Sequence, residues 1–297
     1  MIRKYFIAGL NICIDFDNDI VFEERLSDYI VDNNNESDVH ISVIKTKSDI
    51  KVQNEDIIKL SDISFFYSTE DKDVVFYYDT AISKAVAKIE FSKSYRNIKV
   101  FLYDLKGIYG AEDSMLMFNV LNCAICYLIQ MRDGFVFHSS SVCADGEGVA
   151  FSAKSGTGKS THTRLWLDNI PGTFILNDDT PIIFMGCDNK FYISGTPWAG
   201  TTGINKNATV PLKAIVFLER GEKNKVSSMS PQEAMQPFFE GIRTPITDEM
   251  FSNCLNTLNK LFLSVPLYRL ECNMNPEAAI IAYNGIFGGN KPKEINL

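Results

Sequence analysis

From Met1 to about Asp104, apolar and polar positions alternate in short runs, "YFIAGLNICIDF", "DVHISVIK", "SFFYSTE", "DVVFYYD", "AVAKIEF" and "NIKVFLYD", divided by Asp, Asn, Ser and Lys. A period of two bounded by turn formers predicts strands, and their density predicts an antiparallel, strand-rich layer. The pattern then changes. "EDSMLMFNVLNCAICYLIQM" predicts a helix, with Asp113 or Ser114 placed to cap its start and "RDG", Arg132 to Gly134, to end it. A boundary is therefore expected at residues 105–112, giving a strand-rich N-terminal domain over 1–110 and a second domain over 111–297.

Within the second domain, the apolar runs "FVFHSSSVC" and "GVAFSA" are joined by the turn "ADGEG". So short a connection joins antiparallel neighbours, because a parallel pair needs a crossover of about a dozen residues or more. The strand Gly148 to Ala153 is thus expected to pair antiparallel with Phe135 to Cys143 in a mixed sheet. "KSTHTRLWLD" predicts a helix, and "TFILNDD", "PIIFMG", "KFYIS" and "AIVFLERG" predict strands, with a hairpin turn at Gly186 to Asn189. Three helices close the chain: "SPQEAMQPFFEGI" with the start signal Ser230, Pro231, Glu233, "TDEMFSNCLNTLNKLFLSV" with Thr247 as cap, and "NPEAAIIAYNGIF" with Asn275 before Pro276. The tail "GGNKPKEINL" reads as loose.

Composition narrows the function classes. The 297 residues, 45% hydrophobic and 22% charged, are those of an ordinary globular protein. A net charge of -8 and a pI near 5.0 lack the basic surface that follows a nucleic-acid backbone. The seven dispersed cysteines read as reduced apolar fillers and point to the cytoplasm. Cys123 and Cys126 form a C-x-x-C spacing, but inside an apolar helix and without a second pair, which disfavours zinc or redox chemistry. Asn119, Asn122 and Gln130 interrupt that helix, so it reads as buried in protein, not as a membrane span. No export signal is evident in "MIRKYFIAGLNICIDFDND".

The chemistry begins at "VAFSAKSGTGKSTHT". Ala153 to Ser160 follow the spacing of a phosphate loop, with Ala153 where the first glycine usually stands. A glycine-rich turn after a strand lets the backbone N–H groups of Ser155 to Thr161 converge on phosphate oxygens. Lys159 adds a mobile positive charge, and the Ser160 hydroxyl can ligate Mg²⁺. "TFILNDDTPIIF" then delivers Asp178 and Asp179 at a strand end, where one carboxylate can hold the cation and the other can accept a proton from an attacking hydroxyl. His138, on the strand expected to lie beside the loop strand, can face the transferred phosphate. His162 follows the loop inside the helix and reads as structural or solvent-facing. "SGTPWAGTTG", Ser194 to Gly203, reads equally as a crossover with a core tryptophan or as a rim from which Thr196 contacts phosphate or substrate.

The stretches "FHSSSV", "GVAFSAKSGTGKSTHTRLW", "LNDDTP" and "GTPWAG" together resemble the HPr kinase/phosphorylase and ATP-type phosphoenolpyruvate carboxykinase superfamily, in particular its small kinase-like members. The resemblance implies an α/β fold with a P-loop mixed-sheet kinase core and a helical C-terminal part. It implies ATP and Mg²⁺ held by Lys159 and Ser160, Asp178 as proton acceptor, Asp179 as metal partner, and His138 near the transferred phosphate. Adjacency leaves open which aspartate does which job. The implied activity is transfer of a γ-phosphate to a hydroxyl of a protein, peptide or small molecule. A homo-oligomer is compatible with it, and neither nucleic acid nor membrane is an expected partner. The chain is shorter than a carboxykinase, lacks a recognisable arginine and lysine constellation for a dicarboxylate, and has "GTPWAG" where HPr kinase carries its own glycine-rich signature. The alternatives are a catalytically silent nucleotide-binding regulator and a carboxykinase-like enzyme.

Overall fold

The computed structural model describes residues 1–17, 19–32, 35–52, 56–105 and 113–288. The chain divides into two compact units, Met1–Leu128 and Ile129–Leu297. The boundary expected at 105–112 falls largely on residues outside the described ones, as do the side chains of Asp113 and Ser114 and the tail beyond Gly288. Both units are α/β with mixed sheets. Among the described residues, no helix is long and apolar enough to cross a membrane.

The first unit contains β1 (Ile2–Ile7), β2 (Leu10–Asp15), α1 (Ile20–Leu26), β3 (Val39–Thr46), β4 (Ile58–Lys59), β5 (Ser64–Ser68), β6 (Lys72–Asp79), β7 (Lys84–Ser92) and β8 (Asn97–Tyr103). Their order in one eight-stranded sheet is β1-β2-β3-β8-β7-β6-β5-β4. The sheet is not wholly antiparallel as the alternation predicts: β3 runs parallel to both β2 and β8. The reason lies in the connections. Between β2 and β3 the chain forms α1, capped by Asp19, whose side chain accepts from the Phe22 N–H, and this supplies the crossover a parallel pair requires. Between β3 and β8 the chain builds β4 to β7 before returning. The helix α2 (Asp113–Gln130) follows.

The second unit contains β9 (Gly134–Val136), β10 (Ser139–Ala144), β11 (Glu147–Ser152), α3 (Lys159–Asn169), β12 (Phe174–Asn177), β13 (Ile182–Met185), β14 (Phe191–Ser194), β15 (Thr209–Arg220), β16 (Lys225–Ser228), α4 (Pro231–Glu240), α5 (Asp248–Ser264), β17 (Leu267–Cys272) and α6 (Glu277–Phe287). The sheet order is β12-β10-β11-β15-β14-β13-β9, with β17 added on β15 and β16 on β17. As the short turn predicts, β10 and β11 are antiparallel, Ser139 opposite Ser152 and Ala144 opposite Glu147. The turn tightens to Asp145 and Gly146, both at positive φ (51° and 79°), the conformation a two-residue hairpin needs to match strand twist. On its other side β11 pairs parallel with β15, which makes the sheet mixed.

Both faces of this sheet are covered, which explains why its strands read as nearly continuous apolar runs. Val149 and Phe151 of β11, with Ala214, Val216 and Leu218 of β15, meet Trp166 of α3 and Tyr283 of α6 on one side. Ala150, Ile215 and Phe217 meet Phe238 of α4 and Leu258 of α5 on the other. The Ser230 capping box with Glu233 and the Thr247 cap on Met250 form as their sequence signals predict. At α6 the cap position is Pro276 without a side-chain bond, so Asn275 does not cap. The helical C-terminal third also contains β17, whose short stretch "LYRLEC" sits between two stronger helix patterns.

Candidate active site

Strand β11 ends at Ser152, and the chain turns through Ala153 to Gly158 into α3. The turn is closed by Thr157 N–H donating to Lys154 O at 3.1 Å. Gly156 and Gly158 stand at φ 76° and 118°. A side chain at either would find open space or, at Gly158, an ordinary contact, so the glycines answer a backbone demand and not a steric one. Gly158 is the N-cap of α3 and has no side chain to cap it. The first N–H groups of α3 therefore lack side-chain or intrahelical acceptors at the positive end of the helix dipole, an arrangement that attracts anions. Arg220, the last residue of β15, donates from Nη2 to Gly156 O and ties the loop to the neighbouring strand.

The expected strand "FVFHSSSVC" is interrupted at Phe137 and His138. β9 pairs with β13, whereas β10 pairs with β11 and β12, so the chain shifts partners at that point. The break is held by backbone bonds: Phe137 N–H to Pro181 O at 3.0 Å, His138 N–H to Gly241 O at 2.7 Å, and Ser139 N–H to Asp179 O at 3.0 Å. It leaves the His138 side chain 46% exposed. Its Nε2 lies 3.1 Å from Lys159 Nζ and its Nδ1 3.3 Å from Asp179 Oδ1. An ammonium can only donate, so a charged Lys159 takes Nε2 of a neutral ring as its acceptor and leaves the ring proton on Nδ1, the nitrogen nearer Asp179. Lys159 also donates to Ala153 O at 3.2 Å. Burial pushes the Lys159 ammonium below its ordinary pKa, against the opposing pull of Asp179 and Asp178, which places both carboxylates within electrostatic reach of it.

The two aspartates stand in different surroundings. Asp178 is buried, and its Oδ1 accepts from Ser140 Oγ at 2.6 Å; Ser140 Oγ lies 2.8 Å from Thr163 Oγ1 on α3. The Asp179 side chain is 33% exposed. The pair is set by Asn177, whose Oδ1 accepts from the N–H groups of Asp179 (2.9 Å) and Thr180 (2.7 Å). The Nδ2 of Asn177 reaches Thr196 O and Trp198 O, so the loop "GTPWAG" is laced to this turn. Thr196 is fully buried and donates to Thr180 O at 2.9 Å, and Trp198 is buried as well. The loop is thus a brace behind the aspartates, and the Thr196 hydroxyl is spent inside the protein. Gly200, at φ 60°, allows the brace to close on Asp179, because a Cβ there would lie 3.1 Å from Asp179 Cβ and Cγ.

His138, Lys159, Asp178 and Asp179 are therefore brought together, and Ser155 to Thr161 form the turn and the first helical residues beside them. Sequence reasoning missed Ser140, Asn177 and Arg220. The run Ser139, Ser140, Ser141 is wholly buried although polar, and the need of those hydroxyls for partners was the signal that could have found them. Arg220 has no local signal, since only the parallel β11–β15 pairing brings it to Gly156. A cavity of about 810 Å³ adjoins the loop, lined by His138, Lys154, Ser155, Phe217, Arg220 and Glu240 among others.

His162 has a structural role. It is 2% exposed, packs edge-on to Phe151, and accepts from Trp166 Nε1–H at 3.0 Å through Nε2. Burial holds its pKa down to about 4. The unfolded chain takes up the proton near pH 6.5 and the folded one only near 4, so stability present above pH 6.5 is lost as pH falls between those values, by about 3 kcal/mol in total. In denaturant titrations at about pH 7 and about pH 4.5, His162→Gln is expected to show a smaller pH-dependent loss than the unmodified protein. Equal losses would remove His162 as the cause.

Residues 102–276, more than half of the chain, match the family described as SynChlorMet cassette protein ScmC. No curated protein matches. Among solved structures, the HPr(Ser) kinase/phosphatase from Coxiella burnetii is similar at 11% identity and a TM-score of 0.32, over 52% of this chain and 97% of that one. The chain belongs to the ScmC family.

Proposed function

We propose that the protein is an ATP- and Mg²⁺-dependent phosphotransferase that moves a γ-phosphate to a hydroxyl of a protein, peptide or small molecule. The description of the family specifies no reaction, so the site carries the reading. The supporting observation is the convergence of Lys159, His138 and Asp179 at the foot of a glycine turn whose helix N-terminus has no cap. That turn offers N–H groups to a phosphate chain. Lys159, now folded back on His138 and Ala153 O, exchanges those partners for phosphate oxygens, a stronger charge-assisted contact.

The residues fit a hard cation. Ser160 on the first turn of α3 and the accessible Asp179 offer oxygen donors, with His138 Nδ1 3.3 Å from the Asp179 carboxylate. Among the described residues, no three His, Cys, Asp or Glu side chains group as a metal cage. Magnesium, when bound, would neutralise developing phosphate charge. Asp178, with Oδ1 held by Ser140, is the carboxylate left to take the acceptor's proton, and the acceptor enters through the cavity beside His138.

Incubation with γ-labelled ATP and free serine, peptides and host extract tests the reading: a labelled phosphoester is expected. Tight ATP binding with no labelled product from any acceptor would replace it with a silent nucleotide-binding regulator. Lys159→Ala removes a cation set against several phosphate charges, and hydrogen bonds to charged groups contribute about 1.5–3 kcal/mol each. Calorimetry should show ATP·Mg²⁺ affinity lowered roughly 10- to 150-fold. Unchanged affinity in the folded variant would mean that Lys159 does not meet the phosphates.

A further inference from the structure

A second cavity, of about 450 Å³, also opens on the glycine turn. Gly156 and Gly158 line it together with Thr161, His162 and Leu165 of α3, and Cys272 and Met274 at the end of β17 close it from the other side. It is separate in character from the cavity beside His138: His138, Lys154 and Glu240 line the first and not the second, whereas Thr157, Leu218 and Arg220 line both. Arg220, fixed to Gly156 O, stands where the two meet.

A phosphate chain lying along the turn has two ends. The transfer end belongs near His138, Asp178 and Asp179, so the other end leads away from the first cavity. We infer that the second cavity takes the nucleoside half of the bound nucleotide, with the base against Leu165, Leu218 and Met274. Its volume lies within the range of small-ligand sites, and its lining sets Leu165, Leu218 and Met274 beside the polar Thr157, Thr161, His162, Arg220 and Asn273. One of those groups is unspent. His162 Nε2 is taken by the Trp166 N–H, so the neutral ring carries its proton on Nδ1, and among the described residues that buried donor has no partner. Buried donors are rarely left so, and an acceptor atom on the base is the partner this inference supplies once the ring is reached. The inference rests on reading the glycine turn as a phosphate cradle.

Calorimetry with ATP·Mg²⁺ and with tripolyphosphate·Mg²⁺ separates the two ideas. The unmodified protein is expected to bind ATP at least about tenfold more tightly than tripolyphosphate, the surplus coming from the nucleoside. Leu165→Trp fills the cavity and should bring ATP down to the tripolyphosphate level while leaving tripolyphosphate unchanged. Should Leu165→Trp misfold, Met274→Trp serves, because Met274 is 76% exposed and narrows the same cavity without touching the core. ATP affinity unaffected in a folded variant, or ATP and tripolyphosphate weakened equally, would overturn the nucleoside assignment while the phosphate cradle stands. Failure of the unmodified protein to bind either ligand would overturn the cradle and the nucleoside site together.

Discussion

Asp178→Asn is expected to retain ATP·Mg²⁺ binding and to lose phosphate transfer by about 10²- to 10⁴-fold, the range for removal of a general base. Asparagine keeps the shape, and its side-chain oxygen can still accept the 2.6 Å bond from Ser140 Oγ, so the local packing should survive. What it cannot do is take a proton from the acceptor hydroxyl. Asp179→Asn should behave differently, raising the Mg²⁺ concentration needed for activity, because a neutral amide is a poorer ligand for a hard cation. Label transfer followed across a Mg²⁺ series separates these outcomes. Full-rate transfer by Asp178→Asn would sink its assignment as base, and a raised Mg²⁺ requirement in that variant, with none in Asp179→Asn, would exchange the two roles.

Features of this fold set by neighbouring residues were legible in the sequence. The short turn after Cys143 forces an antiparallel pair, Ser230 and Thr247 cap where they stand, and Gly186 to Asn189 reverse the chain between β13 and β14. Features set by distant pairing were not. Apolar alternation runs unbroken through Phe135 and Phe137, yet these residues face different partners, Ile183 and Ile242, and the chain breaks between them and β10. The parallel neighbours of β3 are chosen by crossovers that alternation cannot express. The candidate site divides in the same way. Lys159 was visible from the spacing of the glycine turn, His138 from its place on the strand run before the loop strand, and Asp178 and Asp179 as paired carboxylates ending an apolar run. Asn177 and Ser140 were not, because their work is to satisfy backbone and carboxylate groups delivered by other strands.

Trp166→Ala should produce the largest loss of stability, and it bears on the site because α3 carries the N–H groups of the glycine turn. Trp166 is fully buried and lies between the sheet and the last helix, with ring centroids 5.4 Å from Phe151, 5.9 Å from Tyr283 and 6.4 Å from Phe287. Truncation removes those contacts, leaves a cavity, and takes away the donor to His162 Nε2. Large aromatic truncations of this kind cost about 3–5 kcal/mol. For a unit of this size that corresponds to a fall in melting temperature of roughly 6 to 20 °C. Trp166→Phe should fall less, since it keeps an aromatic ring in the cluster and loses mainly the hydrogen bond. Lys159→Ala, at the first position of the same helix, should leave the melting temperature nearly unchanged while weakening nucleotide binding. Scanning calorimetry on the three variants decides the matter. If Trp166→Ala melts with the unmodified protein, α3 is not anchored through this side chain. If Lys159→Ala falls as far as Trp166→Ala, the lysine holds the fold together and its loss could no longer be read as a binding effect.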